Sequence, residues 1–425
     1  MTLPSQHALF LQSAEQLLTL AGSPVPRRGS ALGELGIIRD GALLTQGGEI
    51  LRVGKTRELA GEARRLKAEA IDCRGCAVMP GFVDSHTHLV FAGSRVDDFE
   101  RRVRGASYDE IARAGGGIAH SARLLASATP RELVAQARRF LDQYAAHGTT
   151  TLEVKTGYGL DVANEMKILR VIQRLRRTSP LELVPTLLAA HAIPAEYKGR
   201  PRVYLRLILR RLIPEAGKRK LARFIDCFCD RGAFSVDQCR QIFAVGLRYG
   251  LMPRLHAEQL ARTGACRLAV ELGAASADHL DHVNDADIRA LAQSDVVATL
   301  LPGSNFHLGL RQYPPARKLI EAGAIVALAT DFNPGTSPTL NMQFILSLAC
   351  SAMRMTPAEA IAAVTINAAY SLRLADRLGS LERGKHADLA VMAVKDYREI
   401  PYYFGWNHCV LTIKRGRIIH SRMDR

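Results

Sequence analysis

The chain is 425 residues long, 48% hydrophobic and 23% charged, with 57 Lys+Arg against 41 Asp+Glu and a formal net charge of +16. This length exceeds a single hydrophobic core and predicts one large domain with a smaller companion, while the composition excludes a disordered or fibrous chain. No apolar run reaches the ~18 residues of a membrane span, and residues 8–20 lack the basic leader of a secretory signal, so a cytoplasmic protein with no membrane partner is expected.

The eight cysteines are scattered, and the Cys-x-x-Cys formed by Cys73 and Cys76 has no second pair at zinc-ribbon spacing. Free thiols in a reducing compartment are the expectation. The basic excess raises nucleic acid as a partner. The arginines are dispersed, however, and the densest group, Arg200 to Arg223, holds few aromatics. Arg202, Arg206 and Arg210 recur at four-residue intervals, the spacing of one solvated helix face. The sequence therefore predicts no nucleic-acid partner, and its charge suits a small acidic substrate.

The first 75 or so residues carry short apolar runs bounded by glycines, such as Gly41–Gln46 before Gly47-Gly48 and Glu49–Val53 before Gly54. The C-terminal end repeats the style in Ala387–Val394 and Cys409–Ile419. Neither end alone has strands enough to bury a core, so residues 1–76 and 380–425 are expected to form one small β-sandwich domain together. Between them, strand-like runs alternate with helical periodicity. The runs are 81–88, 149–154, 182–188, 223–229, 252–257, 275–279, 296–301 and 325–331; helical spacing marks 131–146, 164–176, 235–249 and 267–272. Eight strands alternating with helices predict an α/β fold, a (β/α)8 TIM-like barrel over residues 77–379.

A barrel collects its chemistry at the C-terminal ends of its strands. Polar residues stand there repeatedly: His86 and His88 end the first run, His191 follows the third, His256 and His279 end the fifth and sixth, and Asp331 ends the eighth. Alone, a His-x-His pair is compatible with two surface histidines. In a strand, however, residues i and i+2 share a face, so His86 and His88 reach one point in space. With His256 and Asp331 they make three imidazoles and a carboxylate, a set suited to zinc or iron(II). Such an ion lowers the pKa of a coordinated water, and Asp331 can take that water's proton. His279 is placed to hydrogen-bond the reacting oxygen or to shuttle a proton.

The run Met79-Pro-Gly-Phe-Val-Asp-Ser-His-Thr-His88, the later histidines and Asp331 resemble the metal-dependent amidohydrolase superfamily. Flanking motifs, in matching order from 78 to about 350, sharpen the resemblance. They include His86–Arg95, Gly115-Gly-Gly-Ile118, Thr149–Leu160, Ala190–Tyr197, His256–Gln259, Ser276–Leu280, Leu300–Gly303 and Ala329–Ser337. The resemblance implies hydrolysis of the C–N bond of a small cyclic amide that carries a carboxylate. One Zn2+ or Fe ion per subunit and a homodimer are implied with it. Arg95 matches the substrate arginine of such enzymes, and a guanidinium clamps a carboxylate bidentately. Tyr158, His191 and Gln259 stand on the same rim as further substrate contacts, and Asn333, Gly335 and Thr336 form a turn suited to the product. Gln259 stands where some members carry an acid, so it is assigned hydrogen bonding only, and a proton-transfer role for Glu258 stays open. The third and fourth strands end without a lysine, which favours one ion over two. The alternative reading is another amidohydrolase of a small cyclic amide or amidine, a deaminase or a cyclic-imide hydrolase.

Overall fold

The protein is described by a computed structural model covering residues 7–22 and 25–423. Eight parallel strands follow one another in sequence order. They are β1 (Phe82–Asp84), β2 (Thr149–Lys155), β3 (Glu182–Ala190), β4 (Phe224–Cys229), β5 (Met252–Ala257), β6 (Ser276–His279), β7 (Val297–Leu300) and β8 (Ile325–Leu328). Both faces of these strands are covered, which is why they read as nearly unbroken apolar runs. The helices between them start where side chains satisfy free backbone N–H groups. Thr129 with Glu132 caps Pro130–Ala146, Asp161 caps Val162–Thr178, and Ser235 with Gln238 caps Val236–Arg248.

The barrel joins its first and last strands beyond their ends. Thr87 bridges Phe332 in parallel register. Asp331 N–H donates to His86 O at 3.1 Å, and His88 N–H donates to Phe332 O at 2.8 Å. Closure thus occurs at the rim, between the His-x-His segment and the residues that follow β8.

The chain ends build two sheets. One has the order Glu49–Lys55, Gly41–Gln46, Ala8–Ala14, Glu69–Asp72; the other runs Arg417–Ser421, Cys409–Lys414, Leu389–Met392, Ala77–Pro80, Gln16–Leu18, Ile37–Ile38. Leu9, Leu11 and Leu43 of the first meet Val78, Leu389, Val391 and Ile413 of the second in one buried cluster, a small sandwich core. The strand Ala77–Pro80, which the sequence reading assigns to the barrel domain, pairs antiparallel with Leu389–Met392 in this sandwich. Gly81 then separates it from β1, and a Cβ at Gly81 would come within 2.2 Å of Thr150 Cγ2. The single apolar run therefore serves both domains.

The basic segment folds as Pro201–Leu207, a wider turn at Ile208–Leu212, and Ile213–Lys218. Pro214, which lacks an N–H, follows the widened turn. Tyr204, Leu205, Ile208 and Leu212 are buried while Arg202, Arg206 and Arg210 are exposed, the solvated face expected from their spacing. All eight cysteines are free. Among the described residues no helix is long and apolar enough to cross a membrane.

Lys414 couples the sandwich to the barrel. Its buried ammonium donates to Asp388 Oδ2 at 2.7 Å and to Thr151 Oγ1 of β2 at 3.3 Å. Removing one member of a buried pair strands the other charge away from water. Lys414→Met is therefore expected to destabilise the fold by about 3–5 kcal/mol, read as a lowered midpoint in urea unfolding; an unchanged midpoint would show that Asp388 has found another partner.

Candidate metal centre and active site

His86 and His88 are buried just past β1, and backbone closure sets Asp331 against them. Asp331 Oδ1 lies 3.6 Å from His86 Nε2 and 3.5 Å from His88 Nε2. Two ligand atoms ~2.1 Å from one ion at a tetrahedral angle stand roughly 3.4 Å apart, so these spacings suit a shared ion. The His256 ring is 4.5 Å from that of His86 and 5.2 Å from that of His279. Ligand atoms of His86, His88 and Asp331 fall within 4.8 Å of one another, as do those of His86, His256 and His279, with His86 common to both groups.

The unsatisfied atoms point the same way. His86 Nε2, both ring nitrogens of His256, His88 Nδ1 and His279 Nδ1 are buried with no hydrogen-bond partner. Orphaned polar atoms in a core are costly; coordination would satisfy His86 Nε2 and His256 Nε2, while His279 Nδ1 is open to another ligand. Burial, reinforced by the Lys155 charge, holds His86 well below the usual imidazole value; burial does the same for His88 and His279. These rings stay neutral and present lone pairs. Burial pushes Asp331 well above the usual carboxylate range, so a neighbouring cation is what would keep it ionised. The residues present fit a divalent ion.

The second nitrogens of two rings face carboxylates. Asp278 Oδ2 lies 2.7 Å from His86 Nδ1 in a hydrogen bond; Asp226 Oδ2 lies 3.0 Å from His256 Nδ1, off hydrogen-bond alignment, and Asp226 Oδ1 accepts the His256 backbone N–H. A carboxylate on Nδ1 sets the tautomer that leaves Nε2 free as a ligand. Beneath them Lys155 Nζ donates to Asp226 at 2.7 Å and to Glu153 at 2.8 Å. Arg254 donates to Ser85 O at 2.8 Å and stands 3.6 Å from Asp278. Every one of these charged side chains is fully buried.

The proposed substrate residues form two groups. Around the centre, the His191 ring stacks on His88 at 5.2 Å, and the Tyr158 ring is 5.9 Å from His88. His191 Nδ1 is 3.0 Å from Gly157 O. The Gly157-Tyr158-Gly159 loop is tied by buried Glu165, which accepts the N–H groups of Gly157, Gly159 and Leu160. The second group surrounds Arg95, which is buried and bonded through Nε to Asp98. A Cβ at Gly335 would come 2.2 Å from Arg95 Nη1, so the turn can approach the guanidinium this closely only because position 335 has no side chain. In that turn Asn333 Oδ1 accepts from the N–H groups of Gly335 and Thr336, and Asn333 Nδ2 donates to Asp331 O. The Asn333 side chain is thus engaged in shaping the turn.

Gln259 lies partly buried beyond β5, its N–H donated to Asp230 Oδ2 at 2.9 Å. Glu258 accepts from the N–H groups of Thr263, Gly264 and Cys266 at the start of the helix Ala265–Glu271. Its carboxylate caps a helix, which accounts for it without proton transfer. Three residues at the strand ends, Glu258, His279 and Asp331, hold positive φ of 56°, 78° and 54°. Such strain in non-glycine residues persists only where the surroundings enforce it, and it collects at functional sites.

A family model described as the amidohydrolase family matches residues 77–419. The chain is 46% identical over 414 residues to the imidazolonepropionase of Geobacillus kaustophilus, covering 97% of both chains. It is 45% identical over 416 residues to that of Solibacter usitatus, covering 97% of this chain and 98% of the relative. The chain belongs to the imidazolonepropionase family of amidohydrolases. Among solved structures, a zinc-complexed atrazine chlorohydrolase from Arthrobacter aurescens superposes with a TM-score of 0.73 at 17% identity, over 97% of this chain and 95% of that one. Guanine deaminase from E. coli gives a TM-score of 0.69 at 16% identity, over 98% and 100%. At such identities the likeness is one of fold.

For an imidazolonepropionase-family chain, the sequence reading overlooked Asp226, Asp278 and Lys155. The signal was present: charged residues inside otherwise apolar barrel strands are rarely buried without a partner. If Asp226 orients His256, Asp226→Asn should weaken retention of a divalent ion roughly 10- to 100-fold. Competition with a chelator on the folded variant measures this, and unchanged retention would leave Asp226 a purely structural group.

Proposed function

We propose that this protein hydrolyses the ring C–N bond of 4-imidazolone-5-propanoate to N-formimino-L-glutamate, a step of histidine degradation, as a cytoplasmic enzyme with one zinc or iron ion per chain. One observation carries the reading beyond the family. The turn that begins at Asp331, facing His86 and His88, also seats the buried Arg95 guanidinium against Gly335. A reactive centre and a carboxylate receptor share one short segment, as a small acidic ring requires.

His86, His88, His256 and Asp331 would hold the ion. When bound, it supplies Lewis acidity toward the ring carbonyl and acidifies a coordinated water. Asp331 is placed to accept the proton of an attacking water and to deliver it to the departing ring nitrogen, so that the elements of water are added across the C–N bond. His279, whose Nδ1 has no partner in the protein, is left to meet the carbonyl oxygen as its charge develops. Arg95 takes the propanoate carboxylate through its Nη edge. Tyr158, His191 and Gln259 line the ring, and the Asn333–Thr336 turn holds the glutamate moiety of the product. Depth in the barrel excludes bulk water from the charges involved.

Incubation with 4-imidazolone-5-propanoate should give loss of ring absorbance that a chelator abolishes and added zinc or iron restores. Asp331→Asn is expected to lower kcat by about 10^2- to 10^4-fold. Metal-replete enzyme that leaves the absorbance unchanged would sink the substrate assignment and leave the fold intact.

A further inference from the structure

The guanidinium of Arg95 is held at one edge and covered on one face. On the Nε edge, Asp98 Oδ2 accepts from Arg95 Nε at 2.9 Å. Over its face lies Gly335, where a Cβ would come 2.2 Å from Nη1 and 2.5 Å from Cζ, so that there is room for no side chain. Asp98 is itself only 6% exposed although it sits in the first turn of the helix Val96–Val103, where an acidic side chain is ordinarily solvated. The same Oδ2 accepts the Gly117 N–H at 2.9 Å, and a Cβ at Gly116 would come 2.4 Å from Asp98 Oδ1. A local i,i+3 pair has thus been drawn inward and closed over by the Gly115-Gly116-Gly117 loop.

This arrangement has a chemical consequence. A guanidinium has two forks, and a carboxylate on Nε leaves the Nη1/Nη2 fork for a second carboxylate. A free arginine side chain loses considerable rotamer freedom when it clamps a ligand, and prior fixing of its plane removes that loss from the binding step. The buried negative charge of Asp98 also offsets that of Arg95 before substrate arrives, so the arginine can be buried at all.

We propose that Asp98 is the positioning residue for substrate recognition: it aims Arg95 at the propanoate carboxylate and acts on the reaction through that arginine alone. The inference rests on the reading of Arg95 as the carboxylate clamp. Loss of such orientation removes binding that is uniform between ground and transition states, which raises KM and leaves kcat unchanged.

The test is a double-variant cycle on the metal-loaded enzyme with 4-imidazolone-5-propanoate. Asp98→Asn should raise KM on the order of tenfold with kcat within about twofold. Asp98→Ser, whose shorter side chain also loses the charge, should do the same, and it stands in if Asp98→Asn fails to fold. Combined with Arg95→Ala, either substitution should add nothing to the KM of Arg95→Ala alone, because both act on one interaction. Additive losses, a matching fall in kcat, or an unchanged KM in the Asp98 variants would overturn the proposal. An unchanged KM in Arg95→Ala would overturn it together with the clamp reading, whereas a raised KM there with none in the Asp98 variants would overturn this inference alone.

Discussion

The barrel depends on the way it closes. β1 and β8 do not pair along their lengths; they meet beyond their ends, where Thr87 bridges Phe332 and Asp331 and His88 exchange backbone bonds with the opposite segment. The three residues that approach one another as ligand groups are therefore neighbours of the backbone bonds that close the barrel. Because a strand sends residues i and i+2 to one face, His86 and His88 both look inward across that seam. Asp331, in a left-handed conformation, faces them from the other side. Closing the sheet and assembling the centre are one event, and strain at Asp331 is tolerated because the closure enforces it.

Electrostatics shows why the centre suits a cation. Glu153, Asp226, Asp278 and Asp331 are buried carboxylates, and among them stand the buried cations Lys155 and Arg254. With all groups ionised this set carries an excess of negative charge, which a nearby cation would offset. Unbalanced charge in a low-dielectric interior is expensive, so the network below the histidines favours a cation above them. The same logic operates at Arg95, whose buried cation is offset by Asp98.

Carboxylates also do much of the backbone's work around the site. Glu165 gathers the N–H groups of the Tyr158 loop, Glu258 caps the helix after β5, and Asp230 holds the N–H groups of Gln259 and Leu260. Each loop at the rim would otherwise bury unpaired donors. The precision with which aromatic and polar side chains are presented follows from these anchors.

Much of this was readable from the amino-acid order. Alternation of apolar runs with helical periods located all eight barrel strands, because strand and helix periodicities are local properties of a few consecutive residues. The two-residue spacing of His86 and His88 implied a shared target for the same reason. The contribution of both chain ends to one small sandwich was also readable, though not that Ala77–Pro80 would join it, since a continuous apolar run does not reveal where one sheet yields to another. Other features had no local signature. Asp278 and His86 are 192 residues apart, and nothing near either announces the other. Arg95 and Asp98 are close in sequence, yet an i,i+3 ion pair is ordinarily a solvated one, and its burial depends on the glycine loop and on Gly335. The candidate metal and substrate residues were proposed from residue type, spacing and family resemblance. Which charge stands beside which was settled by barrel closure and burial, because a charge removed from water must find its partner within the fold.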